Sequence, residues 1–169
     1  RPPFMVVGGL ENLALYKPVT LSDEPVVGEP EQLTDGIKTS GKFDFVEGPS
    51  WVQVDLGEPA EIHAIVLWHF YKNPVIFEDV IVRVSNDVNF SRDVITLFNN
   101  DHDNSAGMGK GKDTAYISRW WAEIVDARDA DLTPTTARYV RVNTGLSVSG
   151  MLPGYVEIAV YGNPNSGAR

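Results

Sequence analysis

Between Trp51 and Gly57 the chain reads W-V-Q-V-D-L-G, with Val52, Val54 and Leu56 alternating with Gln53 and Asp55. A period of two places alternate side chains on opposite faces, so this stretch predicts a strand with one buried face. The run that follows, Ile62 to Trp68, is apolar at nearly every residue, as a central strand covered on both faces is. Gly57 and Pro59 between them read as a turn, which predicts that the two runs pair as neighbours. Further strands are predicted at Leu13–Leu21, Phe77–Asn86, Asp93–Phe98, Tyr116–Val125 (with a bulge), Ala137–Asn143 and Tyr155–Tyr161. Pro18 demotes the first of these towards an edge. Valines 80, 82 and 84 share one face of the second, opposite Asp79, Arg83 and Ser85. Turn signals stand at Leu33-Thr34-Asp35-Gly36, at Gly41 and at Glu47-Gly48-Pro49, with acidic or polar loops over Ser22–Pro30 and Asn99–Asp113. No long stretch keeps a helical period, and Glu123–Asp131 is the best candidate for a helical turn. Short strands divided by turn signals predict an antiparallel sandwich or barrel.

Composition narrows this picture. The 169 residues suit a single domain, 43% hydrophobic and 22% charged, with a core large enough to need no covalent staple. There is no cysteine, hence no disulfide and no thiolate ligand. A formal net charge of −9 opposes phosphate backbones and anionic lipid surfaces, so neither nucleic acid nor membrane lipid is an expected partner. No apolar run approaches the roughly 20 residues of a membrane-spanning helix. The start, Arg1-Pro2-Pro3-Phe4-Met5, does not read as a signal peptide, and the chain is taken as a mature fragment of a longer protein. The expected organisation is an arm over residues 1–11, a β domain over 12–162 and a tail or linker over 163–169.

Three groups of residues carry candidate chemistry. Asn99-Asn100-Asp101-His102-Asp103-Asn104-Ser105 concentrates carboxylates, amides and an imidazole able to hold a metal or to move protons. An EF-hand frame begun at Asp101 fails, because Ala106 falls where Gly is needed and Lys112 where Glu is needed. The alternative is a polar loop whose side chains hold its own backbone. Gly107, Gly109 and Gly111 with Lys110 and Lys112 lack the spacing of a phosphate-binding loop. At the ends of predicted strands stand His69, Phe70, Tyr71 and Lys72, and Arg119-Trp120-Trp121. A sugar is held by stacking its apolar face on a ring while polar groups bond its hydroxyls, and His69, Tyr71, Arg119, Trp120 and Trp121 supply those types. The other possibility is that some of them close the end of the core. No nucleophile elbow, zinc-protease or dinucleotide motif is present, so catalysis is not expected.

These residues also resemble a known family. Asn12-Leu13-Ala14-Leu15-Tyr16-Lys17-Pro18-Val19-Thr20, Asp35-Gly36, Trp51–Gly57, Ala137-Arg138-Tyr139-Val140-Arg141-Val142 and Val156–Gly162 are similar, in order, to the motifs of discoidin or coagulation-factor type-C domains. The resemblance implies an all-β, antiparallel jelly-roll sandwich of about eight strands, of the galactose-binding-domain-like kind shared with bacterial family thirty-two carbohydrate-binding modules. It implies a non-catalytic glycan-binding or adhesion module in a larger extracellular, cell-surface or periplasmic protein. The alternative is a protein–protein interaction or structural domain. Ligand contacts are expected at His69, Tyr71, Asn100, His102, Arg119, Trp120 and Trp121. The resemblance also implies a structural Ca²⁺ held by Asp35, by backbone carbonyls near Gln32 and Ile37, by Ser40 where the family more often has Thr, and by Glu157. Without the ion, Asp35 would make an Asx turn and Glu157 would pair with a lysine.

Overall fold

The computed structural model of the chain describes residues 4–39, 41, 43–44, 49–69, 76–117, 122–145 and 154–163. Its elements are β1 (Glu11–Asn12), β2 (Val19–Leu21), a 3-10 helix (Pro30–Thr34), β3 (Phe43–Asp44), β4 (Ser50–His69), β5 (Ile76–Phe77), β6 (Val80–Ser85), β7 (Ile95–Asn99), β8 (Tyr116–Ile117), β9 (Glu123–Asp126), β10 (Thr135–Thr144) and β11 (Gly154–Asn163). All pairings among these strands are antiparallel, and the fold is all-β.

The two runs that open the sequence reading are not neighbours in a hairpin. They form one strand of 20 residues, β4. Its first half lies between β2 and β10, Val54 facing both Val19 and Val140. Its second half lies between β11 and β9, Ile65 facing both Val160 and Val125. Each half therefore has backbone partners on both edges, and neither leaves hydrogen-bonding groups for the other. The strand changes direction at Gly57, whose φ of +92° is open to glycine at little cost, with exposed Glu58 and Pro59 beside it. The bend carries the chain from one layer, β2-β4-β10-β6-β7, to the other, β1-β11-β4-β9, with β3 added along β11.

The inward side chains of the two layers meet in one core. Val52, Val54, Val80, Val82, Val84, Val140 and Val142 of the first layer pack with Ile62, Ile65, Leu67, Tyr155, Ile158 and Val160 of the second. At about 25 cal/mol per Å² of apolar surface removed from water, such packing is the main stabilising contribution. β1 pairs with β11, Asn12 opposite Tyr161, so the first and last motifs of the sequence lie side by side. The outer face of β4 is covered as well. Phe4 to Leu10 run beside Ala64, Val66, Ile124 and Tyr161. Arg128 anchors this arm, donating from Nη1 to the Met5 carbonyl at 2.9 Å and setting its guanidinium 4.9 Å from the Phe4 ring centre. That second cover explains why the run from Ile62 is apolar on both faces.

Other boundaries differ from those expected. Leu13–Leu21 is not one strand: only Val19–Leu21 pairs, after a tight turn in which Tyr16 has φ 57°. The strand expected from Phe77 begins at Val80, because Asp79 has a left-handed φ of 55° and Phe77 belongs to β5. The strand expected over Tyr116–Val125 is two strands with different partners, β8 on β5 and β9 on β4. Glu123–Asp126 is strand rather than helical turn, followed by a turn that Asp129 closes by accepting the Thr133 N–H at 2.9 Å.

Candidate functional site

One end of the sandwich gathers the chemistry. β4 begins at Ser50 opposite the end of β10, Thr144, and Thr144 in turn faces Val80, the start of β6. Asn99, the end of β7, faces Ile81. In the second layer His69, the end of β4, faces Tyr155 near the start of β11. The Tyr155 and Thr144 hydroxyls hydrogen-bond to each other and close the core between the layers.

The long loop after β7 is held by its own backbone and side chains. Asn99 accepts the Lys112 and Asp113 N–H groups on its carbonyl, both at 3.0 Å, and donates from Nδ2 to Gly109. Asn100 is 0% exposed; its Oδ1 accepts the Val80 N–H at 2.7 Å and its Nδ2 donates to the Phe77 carbonyl at 3.1 Å. It serves as a strand partner rather than facing a ligand. His102 is exposed and donates from Nε2 to the Asp113 carbonyl, pinning one side of the loop to the other.

His69 also departs from the expected ligand role. It is 5% exposed and stacks on Phe77 with ring centres 3.8 Å apart. Its Nδ1–H donates to the Gly154 carbonyl at 3.2 Å, which leaves Nε2 to accept the Tyr116 hydroxyl at 2.8 Å. Burial drives its pKa down to about 3, so the ring is neutral and both nitrogens are spent inside the protein. Tyr71, Arg119, Trp120 and Trp121 lie outside the described residues.

Where the outer face of the first layer meets this end, a cavity of about 400 Å³ opens. Its walls include Trp51, Asp79, Asp103, Met108, Asn143 and Thr144. The strand alternation that buries Val52 turns Trp51 outward, where the Arg141 guanidinium stacks 4.2 Å from its ring centre. Arg141 is itself fixed by donating to Gln53 Oε1 from Nε at 2.9 Å and from Nη2 at 2.6 Å. Ser50 lines the same cavity and is 3% exposed, and its hydroxyl has no hydrogen-bond partner among the described residues. The combination of an aromatic face, a thioether, an amide and carboxylates is the donor set that holds a sugar ring. Sequence reasoning assigned Trp51 to its strand and passed over Asp79, Met108 and Asn143. The position of Trp51 at the strand's loop-side end, on the face opposite the valines, was the available signal.

Asp79, Asp101 and Asp103 converge beside this cavity, with one oxygen from each within 4.8 Å of the others. Asp101 is buried; its Oδ1 accepts the Ser105 N–H and its Oδ2 the Ala106 N–H, each at 3.0 Å. Asp103 accepts the same Ser105 N–H at 2.9 Å. Burial raises the Asp79 carboxyl above its ordinary value, and the charges of Asp101 and Asp103 add to that. Asp79 sits against Gly145, where an added Cβ would come 2.4 Å from the Asp79 Cβ.

The Asp35–Gly36 turn follows the 3-10 helix. Gly36 takes φ +85°, and its N–H points at both carboxylate oxygens of Glu157, at 3.1 and 3.2 Å. Glu157 is 0% exposed, and burial pushes its pKa up to about 7; the Gly36 N–H opposes that rise, Asp35 reinforces it and Lys38 works against it. Asp35 accepts the Ile37 N–H at 2.7 Å. The lysine pairing is absent among the described residues: the Lys38 ammonium lies 5.0 Å from the Trp68 ring centre, and neither Asp35 nor Glu157 is in an ion pair. A buried carboxylate without an ion-pair partner among the described residues, its burial cost reinforced by the charge of Asp35, fits a hard oxygen-seeking ion. Gln32 and Ile37 flank the turn, and Ser40 lies outside the described residues.

No protein-family profile and no curated protein matches the chain. Solved structures do. Chitosan-binding module 1 of a chitosanase/glucanase from Paenibacillus sp. IK-5 is similar at TM-score 0.64 and 24% identity, over 90% of this chain and 99% of that one. Chitosan-binding module 2 of the same enzyme, solved with chitotriose, is similar at TM-score 0.63 and 20% identity, over 89% of this chain and 100% of that one. The CBM32 module CpGH89CBM32-4 of Clostridium perfringens, solved with glcNAc-alpha-1,4-galactose, is similar at TM-score 0.62 and 13% identity, over 94% and 98%. At these identities the likeness establishes the fold alone: the chain has the antiparallel β-sandwich fold of these modules.

Proposed function

We propose that the chain is a non-catalytic carbohydrate-binding module whose ligand site is the cavity at the loop end of the sandwich. The observation that carries this reading is the cavity itself. It is wide enough for a sugar ring and offers the Trp51 face beside Asp79, Asp103 and Asn143. Chitotriose, glcNAc-alpha-1,4-galactose and 4,5-unsaturated mannuronic acid, the ligands of similar solved modules, support a glycan as the class of partner. Tyr71, Arg119, Trp120 and Trp121 are the further contacts proposed from segments that follow β4 and β8. A structural calcium ion belongs to the same reading. Asp35, Glu157, the carbonyls of Gln32 and Ile37, and Ser40 would hold it, and it would tie the turn to β11 by neutralising the paired carboxylates. In this reading the module serves a larger exported protein, delivering it to a glycan surface; the origin of two similar modules in a chitosanase/glucanase supports that setting.

A glycan array probed with the whole chain and with Trp51→Ala tests the site. The expected result is binding to a defined set of oligosaccharides that falls by about tenfold or more without the indole. Binding that survives Trp51→Ala but is lost in Tyr71→Ala or Trp120→Ala moves the site to the neighbouring segments. The absence of glycan binding by a folded protein overturns the reading in favour of a protein partner.

A further inference from the structure

We infer that Asp79, Asp101 and Asp103 form a second cation site, for a hard divalent ion of the calcium class, set in the wall of the cavity and separate from the Asp35–Glu157 turn. The inference does not rest on the glycan reading. Three carboxylate oxygens lie within 4.8 Å of one another. Two calcium–oxygen bonds of about 2.3–2.6 Å placed end to end span that distance, so one ion can touch all three. Magnesium, with bonds of about 2.0–2.1 Å and strict octahedral demands, suits so open a spacing less well.

The three groups come from two different elements and are held there. Asp79 is fixed by its left-handed backbone and by the close approach of Gly145, whose N–H donates to the Asp79 carbonyl at 2.9 Å. Asp101 and Asp103 are oriented by the Ser105 and Ala106 N–H groups, which leave each carboxylate with oxygen lone pairs to spare. Among the described residues no lysine, arginine or histidine forms an ion pair with any of them; the ion pairs present join Arg128 to Asp126 and Arg138 to Asp55. Three like charges gathered without a counter-charge repel one another, and a divalent cation removes most of that repulsion.

A second observation points the same way. The Ser50 hydroxyl is buried and lacks a partner among the described residues, and Ser50 lines the same cavity as Asp79 and Asp103. A buried hydroxyl without a partner is costly, and an ion's hydration water or a ligand oxygen in the cavity supplies one. The failed EF-hand frame in the sequence is accounted for too, since the third carboxylate comes from Asp79, just before β6, instead of from later in the loop.

Calcium titration by calorimetry on the whole chain and on its variants tests the site, with terbium luminescence excited through tryptophan as a second readout because Trp51 lines the cavity. Asp103→Asn changes an exposed side chain and should leave the melting curve measured in chelator intact. In a Glu157→Gln background, which removes the other proposed site, one calcium should still bind. Adding Asp103→Asn or Asp79→Asn should weaken it by more than about tenfold, since even outer-shell changes at metal sites cost 10–100-fold. Should Glu157→Gln fail to fold, the same loss is read in Asp103→Asn alone as one fewer calcium per chain. Calcium binding indifferent to both aspartate changes overturns the proposal. So does a triad that ignores millimolar calcium yet binds glucosamine oligomers in a salt-sensitive way, which would assign the carboxylates to an ammonium ligand.

Discussion

Lowering the pH should unfold this protein in part through His69, and the size of the effect can be worked out. In the folded state burial holds its pKa at about 3, against an ordinary value of 6.5. Below 6.5 the unfolded chain takes up a proton that the folded chain refuses, so the ring's contribution is complete above about pH 6.5 and shrinks as pH falls towards 3. At pH 5 the loss is about 2 kcal/mol, from 1.5 units at 1.36 kcal/mol each; the full shift of about 3.5 units corresponds to about 5 kcal/mol. That limit is comparable to the lower end of a domain's whole stability, about 5–15 kcal/mol. The assay is urea unfolding of wild type and His69→Asn at pH 8 and pH 5. Asn can still donate to Gly154 but cannot titrate, and it loses the Tyr116 bond and the stacking on Phe77. It should therefore be the less stable protein at pH 8, with the gap narrowing by about 2 kcal/mol at pH 5. Carboxylates titrate alike in both proteins and cancel. A gap independent of pH, or a His69 ring that titrates near 6.5 by NMR in the folded protein, would refute the reasoning.

Gly162→Ala should cost about 1–3 kcal/mol by thermal or urea unfolding, because the new Cβ would lie 2.1 Å from the Glu61 carbonyl oxygen across β11 and β4; an unchanged midpoint would mean that the two strands can separate freely there. With calcium a hundredfold above its dissociation constant, chelation should remove about 2.7 kcal/mol, or roughly 5–10 °C of melting temperature, and the share belonging to the Asp35–Glu157 turn should vanish in Glu157→Gln. A melting curve that ignores both the chelator and that substitution counts against the ion.

Much of the sandwich was legible because alternation is a local property. Val52, Val54, Val80, Val82, Val84, Val140 and Val142 are inward as their spacing predicts, and Asn12 meets Tyr161 as the order of motifs implies. The continuity of β4 was not legible. Gly57 with Pro59 writes a bend, and the same letters serve a hairpin or a layer change; which one forms depends on β2, β9, β10 and β11 arriving at the edges of each half, long-range pairings that no window of sequence contains. The site was legible by residue type and not by placement. Asp101 and Asp103 stood out as a pair, while Asp79 joins them only because β6 starts beside the end of β7. His69 and Asn100 were chosen for chemistry that suits a sugar, but both are used up internally, His69 on Gly154 and Tyr116, Asn100 on Val80 and Phe77. Burial of this kind is settled by partners far along the chain.

The pairing of β1 with β11 has a practical corollary. Glu11 and Gly162 stand side by side near Glu61 and Ile62, just past the bend of β4 and at the opposite pole from Ser50, Thr144 and the cavity they border. Any cargo fused to this sandwich through either of these strands would hang from its back, so a surface coated with such fusions would present every pocket outward, and a tether could be lengthened or shortened without redesigning the face that does the recognising.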